Sequence, residues 1–174
     1  MGLLSFILGS KSGTNAADLT RPIDVDLGFF KCGRTVLGER PAADEPFSGH
    51  FDSSGVGNFE KSGIELGTKN GVLDYAFITL TNFKGNFLKS GERIQISTQT
   101  TPEEILSYLS APYWKATDDD ETILFYEFQQ GKIELQFEFP NKHNLGFLTL
   151  SRDGVLSKPD QRKAYGVTKE WPPK

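Results

Sequence analysis

Two spacings of apolar residues recur along the chain. In "IDVDLGFF", Ile23, Val25, Leu27 and Phe29 alternate with Asp24, Asp26 and Gly28, a period of two that predicts a half-buried strand. "KCGRTVL" then turns at Gly33 and returns. Further on, "IELGTKNGVLDYAFITL" sets Asn70-Gly71 between two β-prone runs, the dipeptide best suited to a tight hairpin. A second turn at Lys84-Gly85 or Ser90-Gly91 leads into "RIQIS", with Ile94 and Ile96 on one face. Together these segments predict a meander. "FFKCGRTV" and "FLKSGERI" also share F-x-K-x-G, a faint internal echo for which duplication of a hairpin and chance are both open.

The spacing changes at Thr101-Pro102-Glu103-Glu104. Thr101 can accept from the Glu104 amide while the Glu104 side chain reaches back, and Pro102 suits the first helical position. A helix over Pro102 to Ser110 follows, with Ile105, Leu106 and Leu109 as its apolar stripe and Pro112 as its stop. Three strands come next: "TILFYEF", "KIELQFEF" and "LGFLTL". In the middle one, Ile133, Leu135, Phe137 and Phe139 alternate with Lys132, Glu134, Gln136 and Glu138, which predicts one buried face and one wet face. With no βαβ alternation, the fold class is α+β, a mainly antiparallel β-meander sheet carrying one short capped helix.

Between Gly38 and Gly63 the chain is rich in Gly, Pro, Ser and Asp, and this long loop is either functional or pinned to the core by Phe47, Phe51 and Phe59. After the last strand, "SKPDQRKAYGVTKEWPPK" has no sustained period and reads as an extended tail laid over the surface by Tyr165 and Trp171. Residues 1–20 form a short amphipathic N-terminal segment and linker, and residues 21–174 one α+β domain. "MGLLSFILGSKSG" has no basic residue ahead of its apolar stretch and no cleavage pattern, so it is expected to dock on the domain rather than act as a leader or a membrane span.

Composition narrows the function classes. Fourteen Phe in 174 residues supply enough large apolar surface for a self-sufficient core. A formal charge of −4 provides no basic field for phosphate, which argues against nucleic-acid binding. The single cysteine, Cys32, excludes an intramolecular disulfide and a cysteine zinc cluster, and a cytoplasmic location is expected.

Candidate chemistry is sparse. The run Asp118, Asp119, Asp120 and Glu121 is either a solvated turn or an acidic recognition edge; its consecutive carboxylates lack the spacing of a calcium loop. Tyr113 and Trp114 beside it add aromatic surface, so these six residues are the candidate partner-binding set. His50 and His143 fall in loops without convergent ligands, and neither G-x-S-x-G nor a phosphate loop occurs. Glu127, Glu134 and Glu138 invite comparison with paired catalytic carboxylates, but Glu134 and Glu138 follow the polar alternation of an exposed face, and solvation explains them without chemistry. No enzymatic activity, cofactor or metal is expected.

The order "TTPEEILSYLSAPYW…TILFYEF…GKIELQFEF…LGFLTL", a capped helix, an acidic gap and then antiparallel strands, resembles small bacterial immunity proteins encoded beside polymorphic or secreted toxins. It is also similar in outline to outer-membrane assembly lipoproteins and β-lactamase inhibitor modules. The immunity resemblance implies a stoichiometric binder that neutralises a toxin. The alternative is a cytoplasmic ligand-binding or regulatory domain.

Overall fold

The computed structural model describes residues 18–174, so the N-terminal amphipathic segment lies outside the described residues apart from its last three. Leu19 is already buried in the main core and the Asp18 carboxylate accepts from Ser62 Oγ at 2.5 Å, which carries the domain back past residue 21.

Strands β1 Val25–Asp26, β2 Lys31–Cys32, β3 Thr35–Val36, β7 Phe87–Lys89 and β8 Glu92–Ile94 make a small sheet in the order β3-β2-β1-β7-β8. Strands β4 Val56–Phe59, β5 Ile64–Lys69, β6 Val72–Thr79, β9 Trp114–Thr117, β10 Thr122–Phe128, β11 Ile133–Phe139 and β12 Phe147–Arg152 make the large one. Its order, β4-β5-β6-β12-β11-β10-β9, joins two antiparallel meanders at β6 and β12. The expected meander is therefore real but divided: β7 and β8 leave it for the small sheet, whose β1–β7 pairing is parallel.

Local signals hold where they were strongest. Asn70 and Gly71 both take positive φ, 55° and 74°, in the β5–β6 hairpin. Helix α1 spans Pro102–Leu109, with the Thr101–Glu104 capping box formed in both directions. Ile105 anchors α1 in the core, with Tyr108 and Leu109 at the core's edge. A second helix, α2 Pro159–Ala164, was not foreseen in the tail. The loop over 38–63 contains β4 and is held by fully buried Phe47 and Phe59, so it is pinned to the core.

The two copies of F-x-K-x-G are both hairpins, and they flank β1 on opposite sides. Their turns differ: Gly33 is the first residue of one two-residue loop, whereas Gly91 is the second of the other. Asp26 ties them together. Its Oδ1 accepts from the amides of Gly28, Phe29 and Ser90, and its Oδ2 from Gly91. The same clasp turns Phe29 outward, so that it is exposed rather than on the buried side of its strand.

The main core lies on the inner face of the large sheet, where Leu124, Leu135, Phe137, Leu148 and Ile78 pack with Val25, Cys32 and Phe87 of the small sheet. Burial, and then the Glu45 carboxylate, push the Cys32 thiol up to about 12, so it is a packing residue. Among the described residues no helix is long and apolar enough to cross a membrane.

Candidate functional site: a cleft on the outer face of the large sheet

The outer face of the large sheet corrects the sequence-based expectation. Glu134, Gln136 and Glu138 alternate with the core residues of β11, as the pattern required, yet Glu134 is only 1% exposed and Glu138 6%. What covers this face is the C-terminal stretch. A 3-10 turn at Val155–Ser157, then α2, then the chain to Trp171 lie over β9 and β10, making a second, smaller core. In it Ile123 and Phe125 meet Leu156, Tyr165, Val167 and Trp171.

Specific polar contacts hold that cover down. The Glu134 carboxylate accepts from the amides of Val155 and Leu156 at 2.9 and 3.0 Å. This close approach requires Gly154, because a Cβ there would stand 2.4 Å from Glu134 side-chain carbons. Arg162 donates to the carbonyls of Leu156 and Ser157 and lies 4.9 Å from the Trp171 ring.

The cover stops short of β12 and β6, leaving a cleft of about 480 Å³. Its floor is Gln136, Glu138 and Thr149, and its walls include Phe77, Tyr75 and Tyr165. Each wall has a cause in the sequence. Tyr75 lies across Gly67, where a Cβ would be 1.8 Å from the ring, and donates to Glu65 at 2.7 Å. Phe77 stacks on Phe147 of the neighbouring strand at 5.6 Å. Between Gly67 and Thr68 the register slips, which bulges β6 at Asp74 and brings adjacent Asp74 and Tyr75 both to the cleft. Asp74 there faces Arg152 at 3.7 Å.

Electrostatics distinguish this cleft from the rest of the surface. Burial, reinforced by the charge of Glu121, raises the Glu138 carboxyl to about 7. Glu121 is itself raised, by burial first and then by Asp118. Burial and the surrounding carboxylates Glu138, Glu121 and Glu134 push the Tyr165 phenol up to about 12. Glu138 accepts from Gln136 Nε2 at 2.9 Å. Among the described residues, Thr149, only 7% exposed, has no partner for its hydroxyl, and neither does Oε1 of Gln161 at the cleft wall.

The six residues singled out from sequence separate. Asp118 closes the β9–β10 turn, its Oδ1 accepting from the amides of Asp120 and Glu121. Those two bonds hold its carboxyl below the ordinary aspartate range. Asp119 and Asp120 are exposed, while Glu121 enters the cleft wall. Tyr113 and Trp114 are engaged by the chain's own C-terminal stretch: Tyr113 donates to the Glu170 carbonyl at 3.0 Å, and Trp114 Nε1 to the Tyr165 carbonyl at 2.9 Å. His50 and His143 sit in separate exposed loops, and among the described residues no three His, Cys, Asp or Glu side chains converge as metal ligands.

Thr149, Gln136 and Phe77 were not singled out from sequence, and Tyr165 only as an anchor of the C-terminal tail. One signal was available: "TILFYEF" is apolar on both faces, and a strand with outward Ile123 and Phe125 must be covered on both sides.

No protein-family model and no curated protein matches the chain. Among solved structures it is similar to YjgB, a DUF4309 family protein from Bacillus subtilis subsp. subtilis str. 168, at 16% identity over 67% of this chain and 72% of that one. The TM-score is 0.35, a level that carries no argument about architecture or function.

Proposed function

We propose that this chain is a non-enzymatic binding protein and that the outer-face cleft is its ligand site. One observation carries the reading: the Thr149 hydroxyl is buried on the cleft floor with no partner among the described residues. A buried polar group left unmatched costs roughly 1–3 kcal/mol, and a ligand that completes its hydrogen bond recovers part of that. The volume, and a lining in which Tyr75, Phe77 and Tyr165 stand among polar and charged groups, suit a small molecule or a single side chain of a partner. Binding is favoured over catalysis because Glu134, with both oxygens fixed on backbone amides, is not free to act with Glu138 as an acid–base pair.

The toxin-neutralising reading places a protein partner on Asp118, Asp119, Asp120, Glu121, Tyr113 and Trp114. It has solvent-exposed charge to work with at Asp119 and Asp120. Its aromatic anchors, however, already hold the C-terminal stretch, so the cleft is the better-prepared surface.

The test is a thermal-shift panel of neutral, anionic and cationic small molecules, run on the native protein and on Thr149→Phe, which fills the floor. Stabilisation of the native protein that the variant loses is expected, with urea unfolding to confirm that the variant is folded. A panel in which nothing stabilises the native protein would overturn the reading.

A further inference from the structure

The cleft is aromatic on its walls and acid-rich inside. Asp74 is neutralised by Arg152, leaving Glu121, Glu138 and Asp153 against Lys158 alone, since Glu134 is occupied by two amides. A divalent metal does not fit, because no three carboxylates converge among the described residues. An organic cation needs only one or two carboxylates plus π faces, and Phe77 and Tyr165 provide those faces in the same cleft. The unpartnered Thr149 hydroxyl and Gln161 carbonyl oxygen are acceptors for further N–H donors.

Resting on the cleft being a ligand site, we propose that it takes a small organic cation, an ammonium or guanidinium carried on an apolar body, held by Glu138 and Glu121 with its body against Phe77 and Tyr165. The charged group supplies a counter-charge to carboxylates that the fold has already desolvated. Binding is therefore coupled to their protonation.

That coupling has a direction. Glu138 titrates near 7 because burial and Glu121 oppose its charge. The groups around it are Glu121 from the β9–β10 turn, Tyr165 and Lys158 from the C-terminal cover, and Glu134 and Gln136 on its own strand, while β10 and β12 oppose it with uncharged Ile123 and Phe147. Below neutrality Glu138 gains a proton and the cleft loses one of its anions, so a cation binds more weakly; above it, that anion is present and the cation stabilises it.

Calorimetric titration with benzylamine, and with benzyl alcohol and phenylacetate as neutral and anionic counterparts, tests this at pH 5.5 and 8.5. Benzylamine is expected to bind best, about tenfold more tightly at the higher pH, and to lose about tenfold in Glu138→Gln at pH 8.5, a difference of roughly 1.4 kcal/mol. Glu121→Gln, at a less buried position, gives the same direction should Glu138→Gln fail to fold. Equal affinity for the amine and the alcohol, both abolished by Thr149→Phe, would overturn the cation assignment and leave the ligand site standing. Absence of binding by benzylamine and agmatine at millimolar concentration would also overturn the cation assignment, and silence from neutral and anionic molecules as well would remove the ligand site with it.

Discussion

Glu127 and Glu134 stand directly opposite each other on β10 and β11, and neither oxygen of Glu127 meets a donor from the rest of the described chain. Glu134 has both its oxygens on backbone amides. Two facing carboxyls in this position need a proton between them. Burial, then the facing Glu134 carboxylate, drive the Glu127 carboxyl far above the ordinary glutamate range, so Glu127 carries that proton at neutral pH.

A carboxyl whose folded pKa exceeds its unfolded one binds its proton more tightly when folded. It stabilises the fold fully below the unfolded value near 4.5 and loses that contribution as pH rises toward the folded value. Glu127→Gln keeps the shape and supplies a permanent N–H donor to Glu134. The variant is expected to exceed the native protein by roughly 1–3 kcal/mol at pH 8, with the gap closing by pH 4.5. Urea midpoints across that range check it, and a gap independent of pH would mean that the pair shares no proton.

Thr101→Ala is expected to cost roughly 1 kcal/mol, because the Glu104 amide loses its capping acceptor while the helix keeps Ile105 in the core. Phe137→Ala removes a fully buried ring that meets Tyr126 edge-on at 5.8 Å, and should cost about 3–5 kcal/mol. Equal urea midpoints for the two variants would contradict this assignment of the core face.

The elements legible in sequence were those whose determinants lie within a few residues. Asn70-Gly71 needs only its own positive φ values, and the Thr101 box only a three-residue span. The alternation in β11 likewise identified which side chains share a face. It could not show that the polar face is covered, because the cover is the stretch from Val155 to Trp171, which has no periodicity of its own and is placed by Glu134, Gly131 and Phe125 far away in sequence. The cleft was illegible for the same reason: it is the part of that face where the cover ends.

Asp26→Asn should weaken the clasp between the two small hairpins. Burial opposes ionisation of Asp26, but four amide donors outweigh it and hold its carboxyl below the ordinary range. An asparagine can keep the three donors on one oxygen but sets an N–H against the Gly91 amide, at an expected cost of roughly 1–3 kcal/mol. For the native residue, stability is present above the unfolded pKa near 3.8 and is lost as pH falls through the folded one. Hydrogen exchange at Ser90 and Gly91 checks the site directly, and unchanged protection there would rule out the clasp.

The seat of Trp171 is the point at which the whole cover can be released. Its indole lies over Gly131, where φ is 78° and an added Cβ would stand 2.5 Å from the ring, and it also meets Tyr113 edge-on at 5.8 Å. Gly131→Val therefore strains a left-handed turn and displaces the ring together, whereas Trp171→Ala removes the ring alone. Trp171 is only half-buried, so the second variant should cost about 2 kcal/mol, below the scale for a fully buried aromatic. Both variants should loosen the chain over Ile123 and Phe125, and Trp114, whose Nε1 donates to the Tyr165 carbonyl, reports this by a red-shifted emission in Trp171→Ala. Because Tyr165 also lines the cleft, the same variant should weaken ligand stabilisation while the inner core keeps its hydrogen-exchange protection. An unshifted Trp114 spectrum with full ligand response would show that residues up to Tyr165 hold the cover without Trp171.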